Sequence, residues 1–202
     1  PEAIFRELYL AEPSDDGGNP FGASAITACI APLSPSEPIC WGVDLAKSLD
    51  WTVAIGLDAA GRVCRFERFQ RPWQETIATL AQMLRAKAAV DSTGVGDPIV
   101  EQLQRQGVAV EGVRFTAQSK QQLMEGLAVA IQQRKITFPD GPIRAELDVF
   151  EYEYHRTGVR YSAPADQHDD CVCALALAVS ILPQRALSSI FQPPVSQRRG
   201  GW

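Results

Sequence analysis

Residues 168–178 read "HDDCVCALALA". Two adjacent carboxylates, Asp169 and Asp170, stand at the head of a run so apolar that it belongs in a core. A charge buried without a partner costs several kcal/mol, so something positive is expected to meet them. The apolar run continues toward Pro183 with Ser180 as its one polar interruption. This pattern predicts a buried helix that opens at the two aspartates and is stopped by Pro183. Cys171 and Cys173 inside it read as small hydrophobes.

Working back from this helix, "YEYHRTGVRYSAP" (152–164) reads as a hairpin turning at Thr157-Gly158, and "PIRAELDVFEY" (142–152) as a helix. Ser119 with Gln122 has the spacing of a capping box. It opens a helix that aligns Leu123, Leu127 and Ile131. "VEGVRFT" (110–116) and "AAVD" (88–91) read as strands. Between them Asp97 is the expected N-cap, and Pro98 the first residue, of a helix that Gly107 ends. Pro72 opens another helix at its first turn, with Ile77, Leu80, Ala81 and Leu84 on one face. Upstream lie three β-rich runs, "ICWGVDLA" (39–46), "WTVAIGLD" (51–58) and "RVCRFERF" (62–69), the last two joined by a "DAAG" hairpin turn. The order is three strands, helix, strand, helix, strand, then helices. Such an order builds a mixed α/β sheet with helices on both faces, and it is the order of the ribonuclease H-like fold.

The chain has 202 residues, 46% apolar and 21% charged, with a formal net charge of -5. That suffices for one domain with a substantial core, and the acidity argues against nucleic-acid binding by global charge. The five cysteines form no CxxC pair, which fits a reducing compartment. No run of about 18 apolar residues could span a bilayer, so no membrane is expected. Residues 1–38, a short helix in "PEAIFRELYLAEP" followed by turn-rich "SDDGGNPFG" and "APLSPSEP", read as an arm or linker. The expected domain is 39–184, and 185–202 reads as a flexible tail.

Asp44 ends the first strand and Asp91 the fourth. In this topology those strands are neighbours, so the two carboxylates converge with Asp169 and Asp170 at one edge of the sheet. A helix N-terminus favours negative charge by only about 0.3–1 kcal/mol, too little to hold four carboxylates together. Divalent cations would supply the missing charge. Oxygen donors without histidine or thiolate pairs point to Mg²⁺ or Mn²⁺ rather than zinc. Two such ions about 3.5–4 Å apart can activate a water and stabilise the leaving oxygen of a phosphodiester.

The segments "GVDLAKSLDWTVAIG", "VDSTGVGDPIVEQL" and "ELDVFEYEYHRTGVRYSAPADQHDDCVCALALA" resemble, in order and spacing, the C-terminal nuclease domain of tailed-phage terminase large subunits. "FRELYLAEP" is similar to the chain that follows that family's ATPase domain. The resemblance spans roughly residues 1–182. It implies a metal-dependent endonuclease that cuts double-stranded concatemeric viral DNA during packaging. Asp44 would be the central bridging carboxylate, Asp91 the second, and Asp169 and Asp170 the third. Asp50 matches a further acidic position in some members, and reads equally well as a turn residue before Trp51. The implied partners are double-stranded DNA, the portal protein, the small terminase subunit and the ATPase domain of the same protein. The implied location is the cytoplasm of a phage-infected bacterium. No GxxxxGK[ST] occurs, and with Pro1 as first residue the chain is expected to be an excised nuclease domain.

His168 is a candidate neighbour of the metal ligands or proton shuttle, against a plainer role near the helix cap. Arg156 and Arg160, with His155, put positive charge on the expected hairpin and could touch phosphates; a solvated hairpin face explains them equally. Lys120, Arg134 and Lys135 read as solubilising charge or a groove rim, and Arg198 and Arg199 as part of the tail. Two other functional readings compete. One is a Holliday-junction resolvase or ribonuclease H relative. The other is a non-catalytic module that docks a packaging motor on the portal.

Overall fold

The structure, a computed structural model, describes residues 18–45, 51–94, 96–155, 158–164 and 167–183, with backbone only at 154, 155 and 158. Strands β1 (Cys40–Asp44), β2 (Thr52–Leu57) and β3 (Val63–Phe69) form an antiparallel meander. Beyond β1, β4 (Lys87–Asp91) and β5 (Val110–Val113) add in parallel, giving the order β3-β2-β1-β4-β5. β6 (Glu151–His155) and β7 (Gly158–Ser162) make a separate antiparallel ribbon. The described helices are α1 (Ala23–Ala28), α2 (Trp73–Met83), α3 (Gly96–Arg105), α4 (Ala117–Gln132), α5 (Pro142–Val149) and α6 (Asp170–Ser180). None of them is long and apolar enough to cross a membrane.

Every residue of β1 and β2 is buried because helices cover both faces of the sheet. Trp41, Val43, Ala54, Ala88 and Val90 pack against α2 and α3 through Ile77, Leu80, Ile99 and Leu103. Cys40, Val53, Ile55 and Leu57 face the other core, with α4, α5, α6 and the ribbon tyrosines Tyr152 and Tyr161. The period-two alternation of β1 therefore sends Cys40, Gly42 and Asp44 toward α6. That helix is buried from Cys171 to Val179, since β1 and β2 lie under it and α4 and α5 flank it. An apolar surface all round is what such enclosure requires.

Gly42 sets the depth of this contact. A Cβ there would stand 2.0 Å from the Ala174 carbonyl oxygen and 2.3 Å from the Ala178 nitrogen. The backbone of α6 rests on the bare strand, and the small side chains of "ALALA" keep the approach open.

Several expected boundaries move. Residues 18–38 are part of the domain rather than an arm. Phe21, Ile26 and Cys29 are fully buried, and Phe21 packs on Phe150 with ring centroids 5.5 Å apart. Asn19 accepts from the Phe21 amide (2.8 Å) and donates to the Leu147 carbonyl (2.7 Å). These anchors are long-range contacts, so a turn-rich stretch gives no local periodicity to announce them. The capping box belongs to Thr116, whose hydroxyl accepts from the Ser119 amide at 3.1 Å while the Ser119 hydroxyl accepts from the Thr116 amide at 2.8 Å. Leu123 is only partly buried, and Met124 takes the core position beside Leu127 and Ile131. Pro72 is the N-cap of α2 rather than its first residue. α3 begins at Gly96, which puts Asp97 inside its first turn, where it pairs with Arg114.

The "DAAG" turn forms and is held by Asp58. Its carboxylate accepts from the Ala60 and Arg62 amides (2.8 and 3.0 Å), the Arg62 Nε (2.8 Å) and the Ser34 hydroxyl (2.7 Å). Burial alone would raise the Asp58 pKa, but the hydrogen bonds from Ser34, Arg62 and Ala60 outweigh it and hold the group below the usual carboxylate range. Asp58→Ala leaves these donors unpaired and is expected to cost about 3 kcal/mol in urea unfolding. Because the folded pKa is depressed, this contribution is complete above about pH 4 and is lost as the pH falls through the folded value; the variant's deficit should shrink accordingly in acid. Gly42→Ala is expected to cost about 3 kcal/mol, since the methyl meets helix backbone that cannot rotate away. A wild-type urea midpoint in that variant would contradict the contact.

Candidate active site

Parallel pairing of β1 with β4 sets Val43 opposite Val90, so the next residues, Asp44 and Asp91, end the two central strands side by side. Laying α6 on Gly42 brings the head of that helix over the same edge. Asp44, Asp91, Asp169 and Asp170 accordingly line one cleft of about 120 Å³ with Leu45, Phe115, Cys173 and Lys120. The four expected acids are brought together.

Each is set differently. Asp44 and Asp91 are 8% and 3% exposed. Asp91 Oδ1 accepts from the Thr93 amide at 2.8 Å, and the Thr93 hydroxyl in turn accepts from the Phe115 amide at 2.8 Å. The loop after β4 is thereby fastened to the residues after β5. Gly96 allows the close return, because a Cβ there would stand 2.5 Å from the Asp91 carbonyl oxygen. Asp169 is the N-cap of α6 by position but makes no side-chain cap bond; its carboxylate instead accepts from Lys120 Nζ at 2.7 Å.

Lys120 is the residue that the local sequence concealed. It sits in the first turn of α4 beside Phe115, with Nζ 6.0 Å from the ring centroid, and it is the cation that the opening aspartates required. Burial would depress its pKa, but the Cys173 sulfur and the carboxylates of Asp169 and Asp44 push it up. Burial, then Asp44 and Asp169, keep the Cys173 thiol far above its ordinary value. Near neutrality that group is uncharged, and the carboxylates hold the ammonium.

One ammonium does not balance four carboxylates. Burial, then repulsion from Asp91, Asp170 and Asp169, drive the Asp44 pKa well above the usual range, with Lys120 opposing. Among the described residues no three His, Cys, Asp or Glu side chains are already closed to metal-holding distances. The four acids offer hard carboxylate oxygens in a partly buried cleft with excess negative charge, and the one sulfur beside them, Cys173, stays a protonated thiol; that set fits a hard divalent cation.

The remaining candidates divide. His168 Nδ1 lies 3.5 Å from Asp170 Oδ2, but His168 lines a separate hollow of about 740 Å³ with Arg68 and Glu146 rather than the acid cleft. Arg160 is exposed on β7 and borders a groove of about 720 Å³ that shares Phe115 and Lys120 with the cleft. Arg134 and Lys135 follow the far end of α4, about 20 Å along the helix from Lys120. Asp50, Arg156, Arg198 and Arg199 lie outside the described residues, as does the His155 side chain.

The Terminase RNaseH-like domain model matches residues 41–181. The large terminase subunit of Thermus phage G20c is 30% identical along an alignment 200 positions long that covers 89% of this chain and 41% of that protein. The chain thus spans about two fifths of the length of the curated relatives it matches. The magnesium-bound crystal structure of the large terminase nuclease from phage G20c superposes with a TM-score of 0.72 at 27% identity, covering 84% of this chain and 99% of that one. The zinc-bound form of that nuclease superposes with a TM-score of 0.62 at 26% identity, over 81% and 99%.

Because ionised Asp44 is disfavoured in the fold, replacing it by neutral Asn is expected to stabilise the protein in EDTA at pH 7. Each kcal/mol relieved raises Tm by about 2–4 °C in a domain of this size. The raised pKa fixes the sign: the gain is present above the ordinary carboxylate pKa and vanishes in acid, where both states hold the proton. Thermal scans at pH 7 and pH 3 check this, and an unchanged or lowered Tm at pH 7 would show that the cleft stores no repulsion.

Proposed function

The chain belongs to the Terminase RNaseH-like domain family, and we propose that it is the metal-dependent endonuclease part of a large terminase subunit, cutting double-stranded concatemeric viral DNA during genome packaging. One observation carries the reading: four carboxylates from two strand ends and one helix head line a single cleft. Asp44, Asp91, Asp169 and Asp170 would hold two divalent ions, Mg²⁺ or Mn²⁺, with Asp44 central, as the family resemblance implies; all three other acids act on it electrostatically, raising its pKa. When bound, such ions activate a water and stabilise the leaving oxygen of a phosphodiester.

The protein's own groups do the rest. Asp91 is oriented by the Thr93 amide, and Asp169 by Lys120. Lys120 and Phe115 border both the cleft and the larger groove beside β7. A DNA backbone laid in that groove, along Arg160, would present its phosphates to the cleft, and Lys120 would offset part of their charge. Arg156, Asp50 and His168 extend the proposal as a second hairpin contact, a further acid and a neighbour of Asp170. In the full motor the partners would be the ATPase domain of the same protein, the portal and the small subunit, in the host cytoplasm.

A resolvase or ribonuclease H reading would use the same acids on a branched or hybrid substrate, and the family match favours the terminase reading over it. A purely structural docking role leaves the excess charge of the cleft without purpose.

Supercoiled plasmid incubated with Mn²⁺, Mg²⁺ or EDTA, with wild type beside Asp44→Ala, tests the proposal. Nicking and linearisation are expected only with metal, and the variant should lose about 100-fold or more of the rate. Cleavage by Asp44→Ala at the wild-type rate would remove the acid cleft from the chemistry.

A further inference from the structure

Helix α6 must satisfy the amides of its first turn, which have no partner within the helix. An N-cap aspartate ordinarily does so with its own carboxylate, accepting from the second or third amide of the helix. Asp169 does not, because its carboxylate is committed to Lys120. The amide of Cys171, second in the helix, donates instead to Glu146 Oε2 at 2.7 Å. Glu146 comes from α5, where it is 7% exposed among the core residues Ile143 and Leu147.

A buried acid on an apolar helix face is costly unless something holds it. The Cys171 amide holds one oxygen, while Arg68 of β3 faces the other by charge alone, its Nη2 3.8 Å from Glu146 Oε1 with no hydrogen bond between them. The Arg68 guanidinium lies over the Trp51 ring, 4.4 Å from the centroid. Trp51, Arg68, Glu146 and the Cys171 amide thus form a chain from the β3 side of the sheet to the head of α6, outside the lining of the acid cleft. The Cys171 thiol responds to the same neighbour: burial pushes it up, and Glu146 adds to the push.

We propose that Glu146 is a positioning residue that caps α6 in place of Asp169, so that the helix head is held without drawing the Asp169 carboxylate out of the acid cleft. This rests on the nuclease reading for what the aspartates then do, while the cap itself stands on the geometry alone. Glu146 does not line the cleft and acts through the helix. What α6 requires of it is an acceptor oxygen at the Cys171 amide rather than a negative charge.

The full chain, as wild type, Glu146→Ala, Glu146→Gln and Glu146→Asp, tests it in two readouts. In EDTA, amide NMR and hydrogen exchange report on Cys171. The amide should lose its downfield shift and protection in Glu146→Ala and keep them in Glu146→Gln, which still offers an oxygen at the same reach. Glu146→Asp keeps the charge but falls one methylene short and should behave as the alanine variant, which covers the case of an alanine variant that fails to fold. In titration calorimetry with Mn²⁺, the capless variants should bind about 10–100-fold more weakly, as loss of a supporting partner does, with Glu146→Gln near wild type and Asp44→Ala as the reference for a broken site. A Cys171 amide unchanged in Glu146→Ala and Glu146→Asp overturns the cap. A shifted amide with unchanged Mn²⁺ affinity overturns the positioning role. Glu146→Gln as weak as Glu146→Ala, with its amide intact, would make Glu146 a charge partner of the metal site and overturn the proposal. Wild type that binds no Mn²⁺ defeats the nuclease reading and the positioning role with it, and the amide readout separates that result from failure of the cap.

Discussion

The contact between Gly42 and the backbone of α6 is the constraint on which the site depends. Three of the four acids are carried by elements that meet there: Asp44 lies two residues along β1 from Gly42, and Asp169 and Asp170 lie one turn and more upstream of Ala174 on α6. With no side chain between strand and helix, the separation of the two backbones is fixed by van der Waals contact rather than by adaptable packing. A bulkier residue at 42 would lift the helix and carry its aspartates away from Asp44. The fold therefore controls the spacing of the carboxylates through a position that has no chemistry of its own.

That control works against electrostatics. Burial and mutual repulsion make the ionised cleft unfavourable, and Lys120 relieves it only in part. The cost is met by the apolar enclosure of α6 and by the two cores on either side of the sheet. Strain concentrated at a site and supported elsewhere is a recurrent feature of functional clefts. Here it takes the form of excess negative charge held in place until a cation of higher charge density than an ammonium can share it.

What could be read from the sequence follows the range of each signal. Strand order, the buried helix and the acids Asp44, Asp91, Asp169 and Asp170 were legible because each is marked locally, by a β-rich run that ends in Asp or by an apolar run that begins with it. Lys120 was not, since its role depends on a partner 49 residues away, and nothing near "QSKQQ" distinguishes it from a solubilising charge. Glu146 was hidden in the same way, 25 residues from the amide it accepts and in a helix whose pattern reads as ordinary amphipathicity. The stretch around Phe21 looked like a linker because its anchors, Phe150 and Leu147, lie more than a hundred residues on. The misassigned cap has a different cause. Thr116 and Ser119 both suit an N-cap, and only the extended backbone at Thr116 decides between them.

Charge also resolves an apparent conflict in the bulk numbers. A net charge of -5 opposes nonspecific attraction to DNA at long range, yet the groove beside the cleft is bordered by Lys120 and Arg160 and by the first turn of α4. At physiological ionic strength, charges more than about 8 Å apart are largely screened from one another. A phosphate seated in that groove would respond mainly to the cations that line it and to whatever ions the acids hold, and little to the distant acidic surface. On the proposed reading the domain is suited to cut DNA delivered to it rather than to gather DNA from solution; the chain spans about two fifths of the length of the curated large terminase subunits it matches. On that reading, weak capture joined to a cleft whose excess charge calls for a cation would keep cleavage subordinate to the delivery of DNA.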